Sequence, residues 1–354
     1  MLDILKELTD INGVSGDEGD VREYIKKQIE GYVDEARVDR IGNLIAYKKG
    51  KTSGFTVMLS AHMDEVGFIV TGFSENGNIK FQPVGGIDER ILPGKRVLVG
   101  KRKIPGIIGS KPVHLLEKEE REKVVKIKDM YIDIGCDSKD CAEDLVKLGD
   151  YAVFFSEFTE LGNNTVKAKA LDDRAGCAVL IEILRQRFDF DLYACFTVQE
   201  EVGLRGAEVA AYSIRPDIAV VIEGTTCSDV PGISRQNFST ELGKGAALAI
   251  MDRTSYYDKE LVDFIYNTAK KNNIDVQFKQ TTTGGNDAGK IQTSRTGVRV
   301  AAISVPCRYI HSPVSIMNIK DFESCSKLVA ATLKELESSV DMFKKAGNGG
   351  EKNV

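Results

Sequence analysis

Seven side chains of this 354-residue chain are of types that hold or use a divalent cation, and each stands at the edge of an apolar run. His62 and Asp64 follow the β-prone segment Phe55-Thr56-Val57-Met58-Leu59-Ser60-Ala61. Residues i and i+2 of an extended chain point to one face. That spacing predicts a His62 ring that binds metal through one nitrogen while Asp64 takes the N–H of the other and sets the tautomer. Asp172 lies in Leu171-Asp172-Asp173-Arg174, ahead of the apolar run Ala175–Leu184. One of the two aspartates serves as a helix N-cap; the other exceeds what capping needs. Glu200 and Glu201 follow the run Leu192–Val198, where adjacent carboxylates repel unless a cation or a proton offsets them. Glu223 closes Val220-Val221-Ile222, and His311 stands in Arg308-Tyr309-Ile310-His311-Ser312-Pro313, after Val298–Val305.

Two of the chain's three histidines fall at these stations, the third being His114. Imidazole and carboxylate without thiolate suit Zn²⁺ or Co²⁺, with Mn²⁺ also possible. Two divalent ions about 3.5–4 Å apart need a bridging carboxylate and terminal ligands on either side. Asp172 is the natural bridge, with His62 and Glu223 on one ion and Glu201 and His311 on the other. Glu200 is then unspent, beside a ligand, and fits a general base that takes a proton from water. Asp64 remains to orient His62. No Gly-x-Ser-x-Gly elbow occurs, and Thr283-Gly284-Gly285-Asn286-Asp287-Ala288-Gly289 lacks the endings of nucleotide loops. That segment reads as a turn entering a short helix, placed to line a cleft, as are the neighbours of Arg235-Gln236-Asn237.

The elements that must position these residues read as α/β at both ends. Leu2, Leu5 and Leu8 mark one helix, and Val21, Ile25 and Ile29 a second after the break at Asn12–Gly16. Strands follow at Val33–Val38, at Leu44–Tyr47 and up to His62. From about residue 68, Gly and Pro punctuate short strands such as Arg96–Val99, the texture of a small barrel or sandwich. Glu117–Lys128 reads as a solvated charge run and Ser138–Leu148 as a short helix. Beyond Lys169 come a buried helix, unalternating strands covered on both faces, and an amphipathic helix from Phe322 through Phe343. The predicted architecture is an α/β domain over 1–67 and 163–346, a mixed sheet with helices on both faces. A small inserted β-barrel-like domain over 68–162 interrupts it, and 347–354 forms a disordered tail.

Bulk properties narrow the class. A net charge of −5 gives no reason to expect nucleic acid, and no apolar run reaches the roughly 20 residues that span a membrane. The N-terminus is charged early and lacks a signal-peptide core. Seven cysteines without a Cys-x-x-Cys pair read as mostly reduced core residues. A cytoplasmic protein is the expectation.

Four segments together resemble the M42 family of dinuclear metallo-aminopeptidases, some of whose members carry the name glucanase or glutamyl aminopeptidase. They are Ser60-Ala61-His62-Met63-Asp64-Glu65-Val66-Gly67, Ala170–Gly176, Gln199-Glu200-Glu201-Val202-Gly203-Leu204-Arg205-Gly206-Ala207 and Arg308–Pro313. The resemblance implies His62, Asp172, Glu201, Glu223 and His311 as ligands of two divalent ions per subunit, Glu200 as base and Asp64 as the residue orienting His62. It also implies a cis peptide between Asp172 and Asp173. The family commonly has Asp where Glu223 stands, which leaves Asp229 as the alternative fifth ligand. The implied reaction removes N-terminal residues from short peptides, with a water bridging the metals as nucleophile. A deacylase, a carboxypeptidase or a glucanase on the same site is the alternative. Relatives use the inserted domain to build dimers that assemble into hollow tetrahedral particles, so a homo-oligomer, from dimer up to dodecamer, is expected.

Overall fold

The computed structural model describes residues 1–51, 54–162 and 164–344; the tail predicted as disordered, 347–354, lies outside them. Among the described residues, eleven strands form one mixed sheet. At its centre the His62 strand (Thr56–His62) lies between Asp191–Thr197 and Ile218–Thr226, parallel to both, and Arg299–Arg308 runs parallel beyond. Parallel strands end on one edge, and crevices that take ligands form at that edge. The near-continuous apolar sequences of these strands follow from burial on both faces: Thr56–His62 and Ile218–Thr226 are buried almost throughout.

Helices cover the sheet as the apolar spacing demands. Leu5 and Leu8 of Leu2–Asp10, Val21, Ile25 and Ile29 of Gly19–Ile29, and Phe322, Cys325, Leu328, Val329 and Leu333 of Ile319–Leu336 all enter one core. That last helix stops at Leu336, short of the expected Phe343. Ser338 and Ser339 instead make tight turns back to Glu335 and Leu336, as serines compete with a helical ladder. Phe343 still reaches the core, edge-on to Phe264 at 5.4 Å between centroids. The first predicted strand begins at Glu35 rather than Val33.

A closed six-stranded barrel interrupts this domain, its strands lying between Gly67 and Phe154. Phe68 fills its centre, edge-on to Phe81 and Phe154 at 5.1 and 5.2 Å. Thr159–Leu161 already pairs in the large sheet, so the chain returns ahead of the predicted residue 163. The charge run 117–128 carries an exposed turn of helix, Lys118–Arg121, and leads into a 3-10 turn at Ile127–Asp129; Ser138 caps the predicted helix at Lys139–Leu145. Cys136 and Cys141 are joined in a disulfide at the start of that helix, while the other five cysteines are free and buried.

Candidate metal centre

The parallel edge gathers the predicted residues. His62 ends its strand, opposite Thr197 in register, so the residues that follow Thr197 emerge beside it. Glu223 lies in the strand on the other side, paired with Ser304. His311 stands just beyond Arg308 in a left-handed conformation, φ +57°. Asp172 arrives from the helix side. The backbone is not helical at Asp172 and Asp173, and the peptide between them is cis. Asp173 takes the capping role, accepting the Gly176 N–H at 2.9 Å and the His62 N–H at 3.2 Å. Asp172 is thereby left to face the cleft. Gly224 makes room for it: a Cβ there would lie 2.9 Å from Asp172 Cβ.

The carboxylate of Asp172 stands between the two histidines. His62 Nε2 is 3.4 Å from Asp172 Oδ1 and 3.3 Å from Glu223 Oε1. His311 Nε2 is 3.7 Å from Asp172 Oδ2 and 3.4 Å from Glu201 Oε2. His62–Asp172–Glu223 and Asp172–Glu201–His311 thus form two groups, each with its donor atoms within 4.8 Å of one another. A third such group, His62–Glu200–Glu201, overlaps them, with Glu200 Oε2 at 4.0 Å from His62 Nε2. The donor set fits divalent cations. Asp172 Oδ1 and Glu223 Oε2 are buried without a hydrogen-bond partner, which is costly unless a cation takes them.

Electrostatics point the same way. Burial raises the carboxyls of Glu200, Glu201 and Glu223 well above the usual range, and neighbouring carboxylates add to it, Asp172 for the latter two. Burial opposes a charge on His62, yet Glu223, Asp172 and Asp64 outweigh it and raise the ring's pKa. In the metal-free cluster these shifts favour protons on the three carboxyls and on the His62 ring. Filling the centre must expel them, so metal uptake releases protons and affinity falls as pH drops. Titration calorimetry in buffers of different ionisation heat is expected to show release of more than about one proton per chain. Buffer-independent heats and a flat pH dependence would contradict this.

One expectation needs correction. The Nδ1–H of His62 is taken by the main-chain carbonyl of Asp64 at 3.0 Å, and the Asp64 carboxylate only flanks it at 3.5 Å. The strand ends at His62, so the two-residue alternation no longer applies at Asp64. Its carboxylate instead accepts the backbone N–H groups of Glu200 and Glu201 at 3.0 and 3.1 Å and the Ser15 hydroxyl at 2.6 Å. Burial opposes ionisation of Asp64, but the His62 ring and these donors hold its pKa below the usual value. Asp229, the alternative fifth ligand, is bound by Arg308 at 2.6 and 2.7 Å and joins none of the three groups.

Sequence reasoning passed over several supports. Ser15 was hidden in a segment that reads only as a helix break. Glu65 is buried with Lys169 at 2.6 Å and Arg174 at 3.4 Å. Arg174, fully buried, also donates to the carbonyls of Met63, Leu8 and Ile11, tying the first helix to the His62 loop. No local pattern announces contacts over 100 residues apart. Asp287, buried, accepts from Thr197 and Ser60 at 2.6 and 3.1 Å. The centre opens into a cleft of about 750 Å³, lined in part by Thr283, Gly284, Gly285 and Asn286. Arg235–Asn237 is an exposed turn outside that lining.

Known proteins share this chain's sequence and shape. The family model described as M42 glutamyl aminopeptidase matches residues 42–328, and a second, AMPT, matches residues 1–23. A relative from Acetivibrio thermocellus is 40% identical over 94% of this chain and 98% of its own. The lysyl aminopeptidase of Pyrococcus furiosus is 33% identical, over 95% and 97%. Among solved structures, the aminopeptidase APDkam598 from Desulfurococcus kamchatkensis superposes with a TM-score of 0.93 at 35% identity, covering 98% of both chains. The TET1 peptidase of Pyrococcus horikoshii, which assembles into a tetrahedron or a large octahedral shell, gives 0.85 at 37%, over 95% and 99%. A Thermotoga maritima protein named endoglucanase gives 0.79 at 40%, over 94% and 97%.

Proposed function

The chain belongs to the M42 glutamyl aminopeptidase family and is a peptide hydrolase, and from that premise we propose that it removes N-terminal residues from short peptides at a two-cation centre bridged by Asp172. The observation that carries this reading is the placement of the two Asp172 oxygens toward different histidines. His62, Asp172 and Glu223 would hold one ion, and Asp172, Glu201 and His311 the other. Bound there, Zn²⁺, Co²⁺ or Mn²⁺ would act as a Lewis acid toward the scissile carbonyl and lower the pKa of water.

The remaining work falls to the protein's own groups. Glu200 lines the cleft and serves as general base, taking the proton of the attacking water and passing it to the leaving amine. Asp64 fixes the Glu200–Glu201 backbone through its two N–H acceptors, and its carbonyl fixes the His62 tautomer. A glycosidase needs a carboxylate pair about the glycosidic bond, and a histidine-bearing cation shell is foreign to that chemistry. A homo-oligomer is supported by the assemblies of the TET1 relative.

The cleft also carries a charge bias toward its substrate. Lys279 lines it, half-buried, and its ammonium donates to the Thr283 carbonyl at 3.1 Å. Lys279 makes no close ion pair among the described residues; burial lowers its pKa, and the carboxylates of Asp252, Glu223 and Asp172, which face it at longer range, oppose that shift. Asp88 is paired with Arg90, and the Asp252 carboxylate also accepts from Thr254, Ser255 and Tyr257. An acidic N-terminal side chain would complete Lys279, and a basic one would be repelled. Aminoacyl-p-nitroanilides should therefore be cleaved in the order Glu above Leu above Lys, with about 10-fold or more between the extremes. Lys279→Glu should reverse the order. N-acetylation of the substrate should abolish cleavage, whereas a deacylase would accept it and a carboxypeptidase would be indifferent; either result overturns the aminopeptidase reading.

A further inference from the structure

The two histidines of the centre are oriented by different parts of the molecule. His62 is almost fully buried, and its Nδ1 partner, the Asp64 carbonyl, belongs to its own strand end. His311 is 38% exposed, and its Nδ1–H donates to the carbonyl of Gly86 at 2.9 Å. Gly86 belongs to the corner that leaves the barrel strand Ile79–Val84. That corner is pressed tightly against the cluster. Gly85 adopts φ +85°, and a Cβ on it would meet Val66 Cγ1 at 2.8 Å and Glu201 Cβ at 3.3 Å. A Cβ on Gly86 would lie 3.4 Å from His311 Nδ1. Both terminal donors of one group, Glu201 and His311, thus lean on the barrel, while the Nδ1 support of His62 comes from the large-sheet domain.

We propose that the inserted barrel is a working part of the cation centre, its Gly85-Gly86 corner fixing the His311 ring and thereby the affinity of the Asp172–Glu201–His311 half. The inference rests on the two-cation reading above. A carbonyl acceptor on Nδ1 takes the hydrogen of that nitrogen and turns Nε2 toward Asp172 and Glu201, the orientation a metal ligand needs. Removing such a support weakens metal affinity by about 10–100-fold without touching a ligand. In Gly85→Ala the new methyl cannot fit against Val66 and Glu201, so the corner must shift and carry the Gly86 carbonyl with it. Gly135 is the matched control: it lies near the end of a barrel strand at φ +81°, and a Cβ on it meets nothing within 4 Å.

The test is calorimetric titration of Zn²⁺ into the metal-free full-length chain, for wild type, Gly85→Ala and Gly135→Ala. Wild type should bind in two steps. Gly85→Ala should weaken one step by about 10–100-fold and leave the other within about two-fold, and Gly135→Ala should change neither. The proposal is overturned if Gly85→Ala leaves both steps intact, weakens both alike, or is matched by Gly135→Ala. A wild-type stoichiometry of one ion per chain would instead overturn the two-cation reading. Should Gly85→Ala not fold, Gly86→Val applies the same criteria by pressing directly on the His311 ring.

Discussion

Glu200→Gln is expected to lower turnover by about 10²–10⁴-fold, the contribution of a positioned general base, while the chain binds as many cations as before. The amide matches the carboxylate in size but cannot accept the proton of the attacking water. The anchoring of this residue is untouched by the change, because Asp64 accepts its backbone N–H rather than anything on its side chain. Burial and the neighbouring Glu223 and Glu201 also raise the Glu200 carboxyl, so the neutral amide removes the cost of keeping that carboxyl protonated on folding. The variant should fold at least as stably as wild type in the metal-free form. Kinetics on a free-N-terminal peptide, with metal content measured on the same sample, checks both halves. Wild-type turnover in Glu200→Gln would remove the base. Loss of activity together with one ion would make Glu200 a ligand, as its place in the His62–Glu200–Glu201 group permits.

Asp172→Asn should do more damage by a different route. The change keeps the shape yet removes the charge that both groups share, so both ions should bind far more weakly. Activity should fall by several kcal/mol of Lewis-acid stabilisation, about 10³-fold or more. The fold should persist, because Asp173, not Asp172, caps the buried helix, and Asp172 adds to the repulsion felt by Glu201 and Glu223. Removing Glu223 alone, by contrast, should impair one ion and spare the Asp172–Glu201–His311 half.

The candidate ligands were legible because each sits where an apolar run stops, and parallel strands that stop together share an edge. That rule carried His62, Glu201, Glu223 and His311 to one place without any long-range information. The Asp172–Asp173 pair was legible as one residue more than capping requires, and Asp173 supplies the cap. What did not show was anything that depends on how segments far apart in sequence meet. Ser15 reaches Asp64 across 49 residues and Lys169 reaches Glu65 across 104; neither leaves a periodic trace. The partner of His62 differs from the expected carboxylate because alternation stops with the strand's last residue, His62 itself. The short strands Ala246–Leu248 and Val276–Phe278 are three residues each, too brief to display any period. The barrel's closure also lies beyond pattern: punctuated strands announce a small β unit, and only the pairing of Gly67–Phe73 with Tyr151–Phe154 closes it.

The central claim is that one carboxylate, Asp172, joins two cation sites into a single hydrolytic centre. Its most direct test is reconstitution of verified metal-free protein with Zn²⁺ or Co²⁺, following bound metal and aminopeptidase activity together, with Asp172→Asn alongside. The account predicts no activity without metal, full activity only as the wild-type chain approaches two ions, and neither high-affinity ion nor activity in Asp172→Asn. Activity that survives complete metal removal, or an Asp172→Asn chain that still binds both ions tightly and turns over normally, would contradict it.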